Sequence, residues 1–458
     1  MTELDKEALQ ASAEQHLWLH FTEMGTMRPP IVVRGDGCYV EDVDGKRYLD
    51  ALSGLFSVNI GYGYGDEIGR AAHEQMRELP FYTNWTYAHP RAIELAAELA
   101  ALAPGDLNRV FFVSSGSEAV ETAWKLARQF YAARDGQRGS IRYKAIARNT
   151  AYHGTTMGAL AINGCAALRT PFDPLVPEVR HVSNTNRFRR PPDETEAEFT
   201  AFLLAELEQT IEAMDPETIC MVHMEPVQNS GGAFVAPRGY WEGVREICDR
   251  YDILLSADEV ITGFGRLGHW FASERYGIEP DLVTIAKGLS SSYAALGAVL
   301  ASDRVMEPFL RPDSMFTHGS TFGGHPVMCA IALKNIEIMK RERLNEHVLE
   351  LEDEFRDTLE QLLDIPIVGD VRGAGFCWAL ELVRDKATRE TLTARDQEEL
   401  LRHFVSPELV RRGMICRLDD RGDPVIQICP PLIAGREEID RIAGILGEVL
   451  KEASERMQ

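Results

Sequence analysis

The chain has 458 residues, of which 45% are apolar and 26% charged, and a formal net charge of −23. That length can bury a large core and suggests two or three domains. The acidic balance argues against a nucleic-acid binder, which needs a basic face for phosphates, and no apolar run approaches the ~20 residues that span a bilayer.

Residues 1–10 carry acids and no apolar core, so no signal peptide is expected. Residues 3–24 show helical periodicity, with Leu17, Trp18, Phe21 and Met24 on one side. Residues 32–50 predict a small antiparallel sheet, with Gly35-Asp36-Gly37 and Asp42-Val43-Asp44-Gly45 as turn signals. Residues 53–63 are too glycine-rich for a helix and read as a packed loop, in which Phe56, taken alone, is a core residue. A helix over 66–78 leads into the aromatic run 81–87, which includes Trp85 and could line a pocket or merely pack. A helix over 91–103 stops at Pro104-Gly105.

The apolar run 109–113 predicts a buried strand that enters Ser114-Ser115-Gly116-Ser117-Glu118 and then a long helix over 119–132. Ser115 and Glu118 fit a capping box. A strand, a small-residue turn and a helix N-terminus can also bind an anion, because the first N–H groups have no intrahelical partner and the dipole favours negative charge. No GxxxxGK[ST] or GxGxxG pattern is present. A strand over 143–147 leads to Tyr152-His153-Gly154, which could stack on a flat ring or be structural. Residues 187–198 read as a surface loop, 199–213 as a helix, 219–224 as a strand ending near Glu225 and Gln228, and 241–251 as a helix.

Residues 253–257 form a short apolar run that reads as a buried parallel strand, and it ends on Asp258 and Glu259. A second such run, 281–286, ends on Lys287. In open α/β sheets ligands bind at the carboxyl ends of strands. An acid and a lysine held there suggest pyridoxal phosphate (PLP), with the lysine as Schiff-base anchor and the aspartate as partner of the pyridinium nitrogen. A strand over 297–301, a loop over 318–326 and a helix over 327–341 follow. From about 332 the texture changes to a charged helix 344–363, strands near 367–383, a helix 395–412, strands 413–417 and 425–428, and a last helix 436–453. The expected division is 1–75 (helix and small sheet), 76–330 (large α/β domain) and 331–458 (α+β lobe). The eight cysteines form no CxxC pair, so no metal site is expected, and their apolar settings suggest free thiols in the cytoplasm.

The stretch 255–266, LSADEVITGFGR, followed by Ala286-Lys287-Gly288, resembles the signature of the class III (omega) aminotransferases, PLP enzymes of fold type I. The resemblance extends from the hairpin before Phe56 to the strand holding Arg417. It implies a doubly wound, mostly parallel seven-stranded sheet with a smaller α+β domain built from both termini. Lys287 and Asp258 would be catalytic. Ser115, Gly116 and Ser117 would hold the phosphate, Tyr152 and Val260 would press the ring, and His153 would lie beside it. Thr321 and Phe322 would reach the cofactor of a neighbouring subunit, making a homodimer obligatory and allowing a tetramer. Phe56, Trp85, Tyr152 and Arg417 would meet the substrate, although closely similar amine:pyruvate enzymes usually carry tryptophan where Phe56 stands. The loop 418–423 is longer than in such relatives. The implied reaction moves an amino group from an amine or omega-amino acid to a keto acid such as pyruvate, through pyridoxamine phosphate. Rival readings are another PLP reaction of this kind, aminomutase or decarboxylase, and a PLP-binding regulator, for which no DNA-binding region is seen.

Overall fold

Seven strands make the central sheet of the computed structural model, which describes residues 5–22, 30–419 and 421–457. Their order is Arg109–Val113, Gly297–Ala301, Leu282–Ile285, Leu254–Asp258, Ile219–Met224, Lys144–Arg148 and Val179–Val182. Gly297–Ala301 runs antiparallel to both its neighbours, and the other pairings are parallel. The three strands in the middle of this order are buried along their whole length, as their unbroken apolar runs require when helices cover both faces. Successive side chains point to opposite faces. Leu254 therefore packs with the helix Gly116–Asp135, whose Trp124 and Phe130 are buried, while Leu255 packs with Glu196–Ala213 and Tyr240–Arg250. Each such large apolar side chain stabilises the fold by roughly 1.5–3 kcal/mol.

The predicted small sheet forms over Val32–Asp36, Tyr39–Asp42 and Arg47–Asp50, with Met414–Ile415 added in parallel to the last strand. The chain then leaves that sheet at Cys416, and Arg417–Asp419 pairs antiparallel with Val425–Ile428 in a third sheet that includes Val368–Ala374 and Cys377–Asp385. The single strand expected over 413–417 is thus two strands in two sheets.

Two other expectations change. The first helix covers only Lys6–His16, capped by Asp5, whose side chain accepts from the Ala8 N–H. Leu17, Trp18 and Phe21 lie beyond it and are exposed, Trp18 by 82%, and Met24 is outside the described residues. Lys6–His16 has Gln10 as its buried residue; with no apolar side packed against a core, nothing drives the helix onward through 17–21. Residues 394–411 are helical as expected, but Gln397–Val405 is a π-helical stretch. Pro407 lacks the N–H that would bond the His403 carbonyl in an α-helix, and π segments recur at functional sites. The last helix extends to Met457. Among the described residues, no helix is long and apolar enough to cross a membrane.

Candidate active site

The carboxyl ends of the parallel strands open into a cavity of about 1160 Å³. Asp258 terminates one of the three fully buried strands and carries a dense set of partners. Its Oδ1 accepts from Thr284 Oγ1 at 3.0 Å and from the Val260 N–H at 3.1 Å. Its Oδ2 lies 2.7 Å from His153 Nδ1 and 3.6 Å from His223 Nε2. His223 comes from the neighbouring strand, with Nδ1 2.8 Å from Ser256 Oγ, and its ring centroid is 4.5 Å from that of His153. Burial pushes the Asp258 carboxyl up, but the two histidines outweigh it and hold the group well below the usual carboxylate range. For His153 burial acts downward, and the charges of Glu225 and Asp258 reverse it, raising the imidazole. His223 is lowered by burial and by His153. This trio has the donor atoms of a metal site. Ligands on a tetrahedral ion with ~2.0 Å bonds lie about 3.3 Å apart, so the 2.7 Å contact is that of a hydrogen bond with no ion between the two groups.

Lys287 follows the strand Leu282–Ile285 and adopts φ +46°, a left-handed conformation that costs a non-glycine residue about 1–3 kcal/mol. Its surroundings impose this. A Cβ on Gly288 would stand 2.5 Å from Asn59 Nδ2, which donates to the Phe264 carbonyl, and Asn335 donates to the carbonyls of Gly288 and Leu289. The Lys287 Nζ lies 5.6 Å from the Phe56 ring centroid. Burial and the charge of Arg417 lower the ammonium to about 8, against the opposing pull of Asp258.

Ser115 caps the helix Gly116–Asp135, its Oγ accepting from the Glu118 N–H at 3.3 Å. The Glu118 carboxylate reaches back to the Ser114 N–H at 2.6 Å, one residue earlier than the expected capping box. Ser115, Gly116 and Ser117 all line the cavity. At Gly116 a Cβ would meet Val260 Cγ1 at 3.0 Å, and at Gly154, with φ +118°, a Cβ would meet Ser117 Oγ at 2.2 Å. Only glycines leave this cradle open. Asn163 shapes the facing loop, accepting from the His153 N–H and donating to the Gly154 carbonyl at 2.8 Å.

Phe56, Tyr152, Val260 and Arg417 join these residues on the cavity wall. Phe56 is 3% exposed and packs in a core cluster while also lining the cavity. The second acid, Glu259, turns away: it accepts from Thr262 Oγ1, the Ala272 N–H, and the Ser273 N–H and hydroxyl. Glu225 lines the cavity, whereas Gln228 bonds the carbonyls of Asn149 and Ser230. Trp85, Thr321 and Phe322 are not brought to this chain's cavity. Trp85 and Phe322 are 69% and 60% exposed. They share one outer face, where a Cβ on Gly319 would touch Trp85 at 3.1 Å and Phe81 packs edge-on to Phe322. Asn163, His223 and Arg421 carried no sequence signal, since the contacts of Asn163 with the His153 N–H and Gly154 carbonyl, of His223 with Asp258 and of Arg421 with Tyr152 are made only on folding.

The donor set fits PLP: a buried carboxylate for a ring nitrogen, a partly desolvated amine, flat walls at Tyr152 and Val260, and a helix N-terminus for phosphate. The family model of class III aminotransferases matches residues 22–450. A probable aminotransferase of Mycobacterium tuberculosis is 50% identical over 98% of this chain and 96% of its own. The putrescine–pyruvate aminotransferase of Pseudomonas aeruginosa is 37% identical over 97% of this chain and 95% of its own. The crystal structure of an (S)-enantioselective omega-transaminase from Thermomicrobium roseum superimposes with a TM-score of 0.93 at 40% identity, over 98% of this chain and 99% of that one. The chain belongs to the class III aminotransferases, enzymes of PLP fold type I that depend on pyridoxal phosphate.

Proposed function

We propose that this aminotransferase is an omega-transaminase, taking an amino group from an amine or omega-amino acid and passing it to a keto acid such as pyruvate. The observation that carries this is the mixed character of one cavity: the Phe56 ring lies 5.6 Å from the Lys287 amine, and Arg417 stands on the same wall. An apolar amine substituent can pack against Phe56, and a carboxylate can pair with Arg417 in a bidentate fork. The names of the Pseudomonas and Thermomicrobium relatives support the same reading.

When bound, PLP supplies the electron sink for the carbanion next to the reacting nitrogen. Lys287 is the cofactor's anchor and the group that takes the substrate's α-proton and returns it, a task suited to an amine lowered to about 8. Asp258, kept ionised by its two histidines, offers a fixed negative charge to the ring nitrogen. Ser115, Gly116 and Ser117 offer donors to the phosphate; Tyr152 and Val260 sandwich the ring, and His153 orients Asp258. Trp85, Thr321 and Phe322, on their outer face, complete the site of a second copy in a homodimer. The protein works in a reducing compartment, the cytoplasm, in keeping with its free cysteines. Its large domain spans 76–330 and its small domain the two flanking segments.

The test is a panel of amines and omega-amino acids with pyruvate, read as alanine formed by PLP-loaded protein. Alanine from at least one donor is expected. Loss of carbon dioxide or an isomerised amine in place of alanine would put a decarboxylase or aminomutase in its stead.

A further inference from the structure

Cys377 and Cys429 are free, fully buried thiols that the proposed reaction does not use. Cys377 opens the strand Cys377–Asp385, and Cys429 follows Val425–Ile428, its antiparallel neighbour. The register that pairs Trp378 with Ile428 sets Cys377 opposite Cys429. Pairs in such a ladder alternate between two kinds. The Leu382 N–H donates to the Pro424 carbonyl at 2.9 Å, which marks every second pair from there, Trp378 with Ile428 included, as the hydrogen-bonded kind. Cys377 and Cys429 are therefore of the other kind, in which Cα atoms stand about 4.5 Å apart and side chains meet most closely. Accordingly the Cys429 N–H turns away from its neighbour, to the Ala51 carbonyl at 2.8 Å. Such a spacing lies within the ~4.4–6.8 Å that a disulfide spans.

The fully buried Arg266 straddles the pair. Its Nη1 donates to the carbonyls of Phe376 and Pro430, the residues beside Cys377 and Cys429, and its Nη2 meets Ser53 Oγ and Asn59 Oδ1. All four are neutral oxygens, and a cation so placed favours a thiolate. Burial pushes the Cys429 thiol up, but its hydrogen bond with Cys377 and the charges of Arg266 and Lys287 outweigh burial and lower it. Cys377 is raised by the same hydrogen bond and by burial. Access comes from the main cavity. Cys377 Sγ lies 3.7 Å from Asn229 Oδ1, and Asn229 lines that cavity. Leu52, Phe56 and Val227 also line it and pack in one cluster with the two thiols. Cys416 stands on the cavity wall itself, yet burial pushes its thiol up to about 12, which leaves it a poor nucleophile.

We propose that Cys377 and Cys429 are a dithiol oxidised by small peroxides, Cys429 attacking and Cys377 resolving, that closes to a disulfide behind the cavity wall. The Cys429 sulfur attacks one peroxide oxygen; an S–O bond forms, the O–O bond breaks, and the departing hydroxide leaves as water with the Cys429 proton. The Cys377 sulfur then attacks the Cys429 sulfur; the S–S bond forms, the S–O bond breaks, and the second oxygen leaves as water with the Cys377 proton. The two thiols lose two electrons and two protons, and the peroxide is reduced to two waters.

The test treats PLP-loaded protein with hydrogen peroxide, removes the excess with catalase, and alkylates the remaining thiols as the chain is unfolded. The intact mass before alkylation is expected to fall by about 2 Da, the two hydrogens lost, and non-reducing peptide mapping should join the peptides of Cys377 and Cys429. In Cys377→Ser the reaction should stop at the sulfenic acid of Cys429, a gain of about 16 Da that dimedone captures. In Cys429→Ser, Cys377 should stay unmodified. Wild type that keeps both thiols, or links either one to a third cysteine, overturns the proposal without any variant having to fold. Oxidation of Cys377 in Cys429→Ser at the wild-type rate overturns it too, since Cys429 would then not be the attacking sulfur. Alanine formation enters none of these readouts, so the omega-transaminase reading stands or falls separately.

Discussion

Lys287 sits in a backbone conformation that lysine disfavours, and the packing of Gly288 against Asn59 is what keeps it there. The strain and the burial act on one amine. An ammonium cannot attack an aldehyde, and with the amine at about 8 instead of the ordinary 10.5, the neutral fraction falls about tenfold for each pH unit below that point. The rate at which cofactor-free protein takes up PLP should therefore climb with pH and level off above about 8, as followed by growth of the visible band; a climb continuing towards 10.5 would show no depression. Lys287→Ala should lower transamination by ~10²–10⁴-fold and leave no labelled peptide after borohydride. Asp258 and Glu259 are adjacent in sequence and differ in role because alternate side chains meet different surroundings. Burial raises Glu259, yet four donors converge on it. Glu259→Ala should cost about 2–3 kcal/mol by leaving buried donors unmet, visible as a lower unfolding midpoint with an unchanged cofactor band. Lys287 and Asp258 were legible because each ends an apolar run. Arg421 was not, because its relation to Asp419 and Tyr152 is made by folding.

The helix Gly116–Asp135 and the loop around Gly154 act as a pair. Gly154 holds φ +118°, and its missing side chain leaves room for Ser117, whose Oγ accepts from the Thr155 N–H at 3.1 Å. Gly154→Ala adds strain of about 1–3 kcal/mol and pushes Ser117 out of place. Affinity for PLP, measured by fluorescence titration, should fall about tenfold, as a kcal/mol or two dictates; unchanged affinity would detach Ser117 from the phosphate. Most of the elements were legible from periodicity and turn residues. The break at Cys416 was not. Met414–Ile415 and Arg417–Asp419 look like one strand by composition, and only their separate pairing with Arg47–Asp50 and Val425–Ile428 divides them. That division aims Arg417 into the cavity.

At the scale of the molecule, the outer face carrying Trp85 and Phe322 has the exposed aromatics of a surface meant to be covered. Trp85→Asp should convert a dimer to monomers in analytical ultracentrifugation and speed cofactor loss on dilution; an intact dimer with full cofactor would remove this face from the interface. The sequence by itself determined the fold class, and it singled out Lys287, Asp258 and the turn Ser115-Gly116-Ser117 as candidates that the fold gathers at one cavity. These depend on short-range patterns: apolar runs, small residues after a strand, and a dense signature between 255 and 288. Only the tertiary structure decided which strand lies beside which, and so which distant groups meet. His153, in the loop after Lys144–Arg148, and His223, on the strand Ile219–Met224, both reach Asp258, Arg421 lies over Tyr152, and Trp85 and Thr321 lie outside their own cavity. Such meetings are set by sheet order and side-chain packing over separations of tens to hundreds of residues, which no local pattern encodes.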